Sequence, residues 1–152
     1  MQMVTGRVSW WWIVVAVLAV LGQNGQARAQ AGDAFAAECA QVIAFVATDF
    51  QNMGDAIVAD TIAKINAMRA SGAPESKVQA AAAKGQAKVS KTAERCRKVA
   101  SKLAQQCFAR LIRFDEPSLI AQITQVHTAR NTALMQINNG ETSLLSQISA
   151  AL

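Results

Sequence analysis

Residues 78–107 read VQAAAAKGQAKVSKTAERCRKVASKLAQQC, and the way apolar and basic positions interleave in this stretch decides the fold. Val78, Ala82, Gly85, Val89, Thr92, Cys96, Val99, Leu103 and Cys107 recur at alternating steps of four and three, the spacing of a coiled-coil seam. Alanine, Gln, Lys and Arg fill the positions between them, and all four favour helix. A long helix that is apolar along one seam needs partners for that seam.

Upstream, Phe35, Cys39, Val42, Val46, Phe50, Met53 and Ile57, then Ile62, Ile65 and Met68, mark a second helical stripe. Ser71-Gly72-Ala73-Pro74 ends it, with glycine suited to a left-handed exit and proline to the start of the next helix. Downstream, Asp115-Glu116-Pro117-Ser118 is the next break, its carboxylates placed where a helix dipole favours them. A third arm follows through Ile120, Ile123, Val126, Arg130, Leu134 and Ile137. Asn138-Asn139-Gly140 reads as a cap or kink, after which Thr142 to Leu152 resumes as a shorter helix. The expectation is all-α: an elongated antiparallel three-helix bundle, a long helical hairpin plus a third arm broken near Asn138–Gly140. Residues 30–152 are expected to form one domain, a rod on the order of 50 Å long at helical rise.

If the first two arms fold back about Ala73, facing residue numbers sum to about 146. The two stripes then meet throughout: Ile57 with Val89, Met53 with Thr92, Phe50 with Cys96, Val46 with Val99, Val42 with Leu103, and Cys39 with Cys107. Ile62 and Ile65 fall opposite the small Gly85 and Ala82, an alternation that lets helices approach closely. The same rule about Asp115 and Glu116 lays Ile123 beside Cys107, Arg130 beside Val99 and Ile137 beside Thr92.

This register also sorts the three cysteines. Cys96 and Cys107 lie roughly 16 Å apart along one helix, beyond the reach of a disulfide. Cys39 and Cys107 are expected to form one, clasping the open end of the hairpin. Cys96 is left over and reads as a small buried apolar residue in the seam, the alternative being an intermolecular disulfide or a reactive thiol.

The first 29 residues carry a different signature. Arg7 precedes Trp10–Leu21, a run without a polar side chain, and Ala27-Arg28-Ala29 closes the segment. A basic start, a short apolar core and small residues at a cleavage position make a secretory signal peptide. About twelve apolar residues are too few to span a bilayer, which takes about twenty. Cleavage after Ala29 and a periplasmic or secreted protein are therefore expected. The alternative is an uncleaved anchor facing outside, with Trp10, Trp11 and Trp12 in the interfacial belt; the membrane is then met only through residues 1–29.

The whole chain has a net charge of +5. Loss of Arg7 and Arg28 with the signal leaves thirteen bases against ten acids, so overall charge says little. Its distribution says more. From Glu75 to Arg113 there are ten bases and two acids, Glu75 and Glu94, a local excess of +8. Lys77, Lys84, Lys88, Lys91, Arg95, Lys98 and Lys102 form a row about 37 Å long on the flank of the second helix. One reading is a coiled-coil edge met by Glu38, Asp49 and Asp60, which the register puts near Arg110, Arg97 or Lys98, and Lys84 or Lys88. Three acids cannot neutralise ten bases. The other reading is a surface for an anionic partner: an acidic protein, anionic lipid, a polyanionic glycan or nucleic acid. Nucleic acid fits least, because the row has no aromatic residue for stacking and the protein is expected to be exported.

Catalytic chemistry lacks its parts. The only histidine, His127, is placed beside Leu103 with neither thiols nor carboxylates to complete a metal site. No C-x-x-C, phosphate loop or nucleophile motif is present. Met53, Met68 and Met135 are placed as core fillers, and His127 and Met135 lie on one arm, not across a haem pocket. No catalytic, cofactor or metal residue is assigned. The chain reads as an exported, non-enzymatic helical binding or accessory protein. The alternative is a membrane-anchored stalk, or a subunit of an envelope or secretion complex.

Overall fold

The computed structural model describes residues 28–114 and 117–152. Helix α1 is Arg28–Ala70, α2 is Glu75–Leu111 and α3 is Leu119–Ala150, with a 3-10 turn at Ile112–Phe114 before α3. Among the described residues there is no strand. The apolar run Trp10–Leu21 and Ala27 of the expected signal lie outside the described residues, as do Asp115 and Glu116; Arg28 and Ala29 open α1.

The α1–α2 hairpin turns as its sequence suggests. Gly72 takes a φ of +70°, its N–H bonds to Arg69 O, and the Ala73 N–H reaches back to Met68 O, the paired bonds of a Schellman ending. Pro74 then stands as the N-cap of α2, one position before its first turn. At the other end Cys39 and Cys107 are joined in a disulfide with Cα atoms 6.2 Å apart. Higher up, Thr61 packs against Gly85, where a Cβ would fall within 3.0 Å of three Thr61 side-chain atoms. Both pairs sum to 146, so the hairpin register holds along its length.

Helix α3 runs parallel to α1 and antiparallel to α2. Leu144 packs on Gly54, Phe50 on Gly140, and Gln122 Nε2 donates to Asp33 Oδ1, three pairs whose numbers differ by about 90. The third arm is not broken: α3 is continuous through Asn138, Asn139 and Gly140. Glycine serves packing there, since a Cβ at Gly140 would lie 3.1 Å from Phe50 Cε1 and 2.9 Å from Gln51 Oε1. The α2–α3 register also differs from expectation. Gln86 bonds Ser149 and Arg97 bonds Asn138, pairs summing to 235 and not about 230. The chain continues past Leu111 through the 3-10 turn, so its reversal is centred on Pro117–Ser118, two residues later than Asp115–Glu116.

The three helices share one core, but unequally. Helix α1 supplies Phe35, Ile43, Val46, Phe50, Val58 and Ile65, and α3 supplies Val126, Ile137, Leu144 and Ile148. Helix α2 adds Val78, Val89, Cys96 and Leu111, and otherwise Ala82, Gly85, Ala93, Ala100 and Ala104. A two-helix seam would have buried Thr92, Val99 and Leu103; these are half-buried, and Ala93, Ala100 and Ala104 lie innermost. Facing two partners turns the buried stripe of α2 toward their midline, where small side chains allow close approach. The same effect moves two methionines out of the core. Met53 is exposed because neighbouring Gly54 takes the inward place and admits Leu144, and Met135 is 58 % exposed opposite Ala133 and Ile137. Met68 is partly buried against the core.

Candidate functional site: the outward face of α2

Lys77, Lys84, Lys88, Lys91, Arg95, Lys98 and Lys102 are all exposed. At 3.6 residues per turn their positions fall within about 80° of one another, and about 150° from the middle of the buried face of α2. The row is thus on the outward face and not, as the seam reading placed it, on a flank beside a neighbouring helix. The cause is again the turn of the buried stripe toward Ala93, Ala100 and Ala104. From Lys84 to Lys102 a cation recurs every three or four residues, about every 5 Å along the axis.

The expected acidic partners are not engaged. Among the described residues no carboxylate of Glu38, Asp49 or Asp60 comes within 4.0 Å of a lysine or arginine nitrogen, and the ion pairs are Arg69–Glu75, Arg97–Glu141 and Lys98–Glu94. Among the described residues, Lys98 alone of the seven cations has an ion-pair partner, Glu94, one turn away on the same exposed face. The hydrogen bond from Lys98, and then its charge, hold the Glu94 carboxyl below its ordinary value. Such exposed pairs contribute little to stability.

The row therefore works against its own helix. Lys84 and Lys88, Lys91 and Arg95, and Lys98 and Lys102 stand at i,i+4, where like charges cost about 0.2–0.5 kcal/mol per pair at low salt.

Two bases near the row have structural duties instead. Arg97, which the seam reading put beside Asp49, points to α3: its Nη1 donates to Asn138 Oδ1 at 2.9 Å and to Glu141 Oε2 at 2.7 Å in a half-buried pair. It departs from the three-and-four spacing of the row, and that is the signal that separates it. The Arg110 guanidinium lies over the Phe35 ring, 5.3 Å from its centroid. At the tip, Arg69 donates to the carbonyl oxygens of Ala151 and Leu152, tying α1 to the end of α3. Buried Gln122, bonded to Asp33 and Ser118, fixes the base of α3 in the same manner. Sequence reasoning missed both clasps, because long polar side chains on amphipathic helices give no sign of which partner they reach.

The remaining candidates have modest surroundings. Cys96 is buried, and burial, followed by the nearby Asp49 charge, pushes its thiol pKa up. A thiol so placed is a poor nucleophile. His127 is exposed, its Nδ1 3.2 Å from Asn131 Nδ2. Among the described residues no three His, Cys, Asp or Glu side chains gather where they could share a metal ion. One described helix, Ala31–Ala70 within α1, is long and apolar enough to cross a membrane, and in the bundle it carries much of the core.

No protein-family model matches the chain, and neither a curated protein nor a solved structure is significantly similar to it.

Proposed function

We propose that this is an exported, non-enzymatic binding or accessory protein of the periplasm or cell envelope that presents the outward face of α2 to an anionic or acidic partner. The observation that carries the reading is the row Lys77 to Lys102: seven exposed cations on one arc, one with an ion-pair partner, arranged so that they repel one another. A row of like charges whose one ion pair among the described residues is the exposed Lys98–Glu94 contact is explained by what it meets outside the molecule. Export is supported by the apolar segment Trp10–Leu21 and by the Cys39–Cys107 disulfide, a bond that persists in oxidising compartments.

The test is capture from an envelope fraction by the wild-type protein and by K84E/K91E/K98E. The wild type retains a partner in a salt-dependent way, as exposed charge interactions do, and the variant loses it while its helical circular dichroism is unchanged. Equal, salt-insensitive capture by both proteins overturns the reading.

A further inference from the structure

Independently of what the outward face of α2 meets, we propose that the groove between α1 and α2 is the interface of a parallel homodimer, in which α1 of each copy lies against α2 of the other. Three features of this chain select a second copy as the occupant.

The first is an uncovered apolar strip. At 3.6 residues per turn Val42, Phe45, Asp49 and Met53 fall within about 80° of one another on α1. This is the side turned to α2, since the Cys39 bridge leads there and the Asp49 charge reaches Cys96. On α2, Val99 and Leu103 take the matching side. Phe45 is 68 % and Met53 40 % exposed, and Val42, Val99 and Leu103 are half-buried. The hairpin register sets all five within about 17 Å of the length of the rod. Helix α3 packs on α1 through Phe50 and Gly54, farther round, and leaves the strip open. An aromatic ring among aliphatic groups is the kind of anchor around which protein interfaces are built.

The second is charge, which is self-complementary across this groove. Glu38, Asp49 and Asp60 are spaced by eleven residues, almost three whole turns, so they form a line along α1 beside the strip. Among the described residues none of the three has an ion-pair partner. On α2 the strip is bordered by Lys88 and Arg95, which stand on the α1 side of the basic row and also lack ion-pair partners among the described residues. Each copy thus offers acids on one side of an apolar strip and bases on the other, the condition for a two-fold interface in which a patch meets itself.

The third is helix direction, which fixes how the copies lie. With the two-fold axis along the rod, residues keep their own level and α1 crosses to α2 of the other copy. Asp49 then comes opposite Arg95 and Asp60 opposite Lys88, pairs summing to 144 and 148 against the 146 of the hairpin. Because α1 and α2 run in opposite directions, this contact is antiparallel, and the four helices close as an antiparallel bundle with each α3 outside. With the axis across the rod α1 would meet α1, acids against acids.

The experiment is sedimentation equilibrium of the exported protein over a range of concentrations. Wild type should be a dimer, and Phe45→Asp, a change at an exposed position, should weaken it at least tenfold with helical circular dichroism unchanged. D49K/D60K and K88E/R95E should each be monomeric alone and should form a one-to-one heterodimer when mixed, because both cross-copy contacts then again join opposite charges. A nitroxide on Ser71→Cys, at the hairpin tip, should report two labels closer together than the roughly 50 Å length of the rod, with buried Cys96 left unlabelled. A wild type that remains monomeric overturns the inference, whether the groove then takes up a lipid vesicle or another protein, and so does a dimer indifferent to Phe45→Asp and to the charge reversals. Labels a rod length apart overturn the parallel arrangement. Envelope capture is a separate readout, so a monomeric wild type that holds its partner through Lys84, Lys91 and Lys98 leaves the earlier reading standing.

Discussion

The two faces of α2 obey different rules. Its inner face, Val78, Ala82, Gly85, Val89, Ala93, Cys96, Ala100, Ala104 and Leu111, is mostly small and is buried along its length. Its outer face carries the seven cations from Lys77 to Lys102, and among the described residues one of the seven has an ion-pair partner. On the inner face small side chains predominate, with Val78, Val89 and Leu111 the larger exceptions, and on the outer face only charge and spacing are regular. The contrast teaches that the fold uses one side of this helix and leaves the other available, so changes on the two sides should separate stability from binding.

The largest expected effect on the inner side comes from the clasp. Replacing Cys39 and Cys107 with serine frees a loop of 68 residues and should cost about 4 kcal/mol of stability, read as a lower denaturation midpoint. Binding by the fraction that remains folded should be unchanged, because the row lies elsewhere. Next is Gly85→Ala. Alanine is the better helix former by about 1 kcal/mol, yet its Cβ would overlap the buried Thr61 side chain, so a net loss of about 1–3 kcal/mol is expected. An unchanged or raised midpoint would mean that α1 and α2 are further apart than the register requires.

A smaller effect, confined to alkaline pH, concerns Cys96. Burial raises the folded thiol pKa above its unfolded value, so the contribution of the neutral thiol is fully present below the unfolded pKa and is lost as pH rises through the folded one. The stability advantage of wild type over Cys96→Ala should therefore shrink above about pH 9, near the ordinary thiol range. Alkylation of Cys96 in the native protein should be slow and should accelerate on unfolding; prompt labelling would show that the inner face is open.

Much of this contrast was legible in the residues. The α1–α2 register followed from two stripes that agree along their length, and it placed Cys39 beside Cys107. Chain reversal by Gly72 and Pro74 carries its own local chemistry and was equally readable. What could not be read was how the third helix redistributes burial. A seam pattern weighs bulky residues, so it favoured Thr92, Val99 and Leu103, while a helix facing two partners buries Ala93, Ala100 and Ala104 on the midline. Gly140 looked like a break because the sequence does not reveal that Phe50 lies over it. The α2–α3 register slipped because the 3-10 turn Ile112–Phe114 extends the second arm past Leu111 and the reversal is centred on Pro117–Ser118. The cations themselves were legible as a row; their place on the outward face, without the carboxylates of Glu38, Asp49 and Asp60, required the packing.

The most direct measurement is urea denaturation of K84E/K91E/K98E beside wild type at low salt. Each reversal creates an acid–base pair with Lys88, Arg95 or Lys102 in the favourable i,i+4 order, worth about 0.2–0.5 kcal/mol, and removes a repulsion of similar size. Loss of the exposed Lys98–Glu94 pair, and the like-charge pair that Lys98→Glu makes with Glu94 at i,i+4, offset part of the gain. The account predicts a midpoint equal to or above that of wild type in a protein that no longer binds its partner, the trade expected of a functional surface. A lowered midpoint would contradict it, because the cations would then be supporting the bundle.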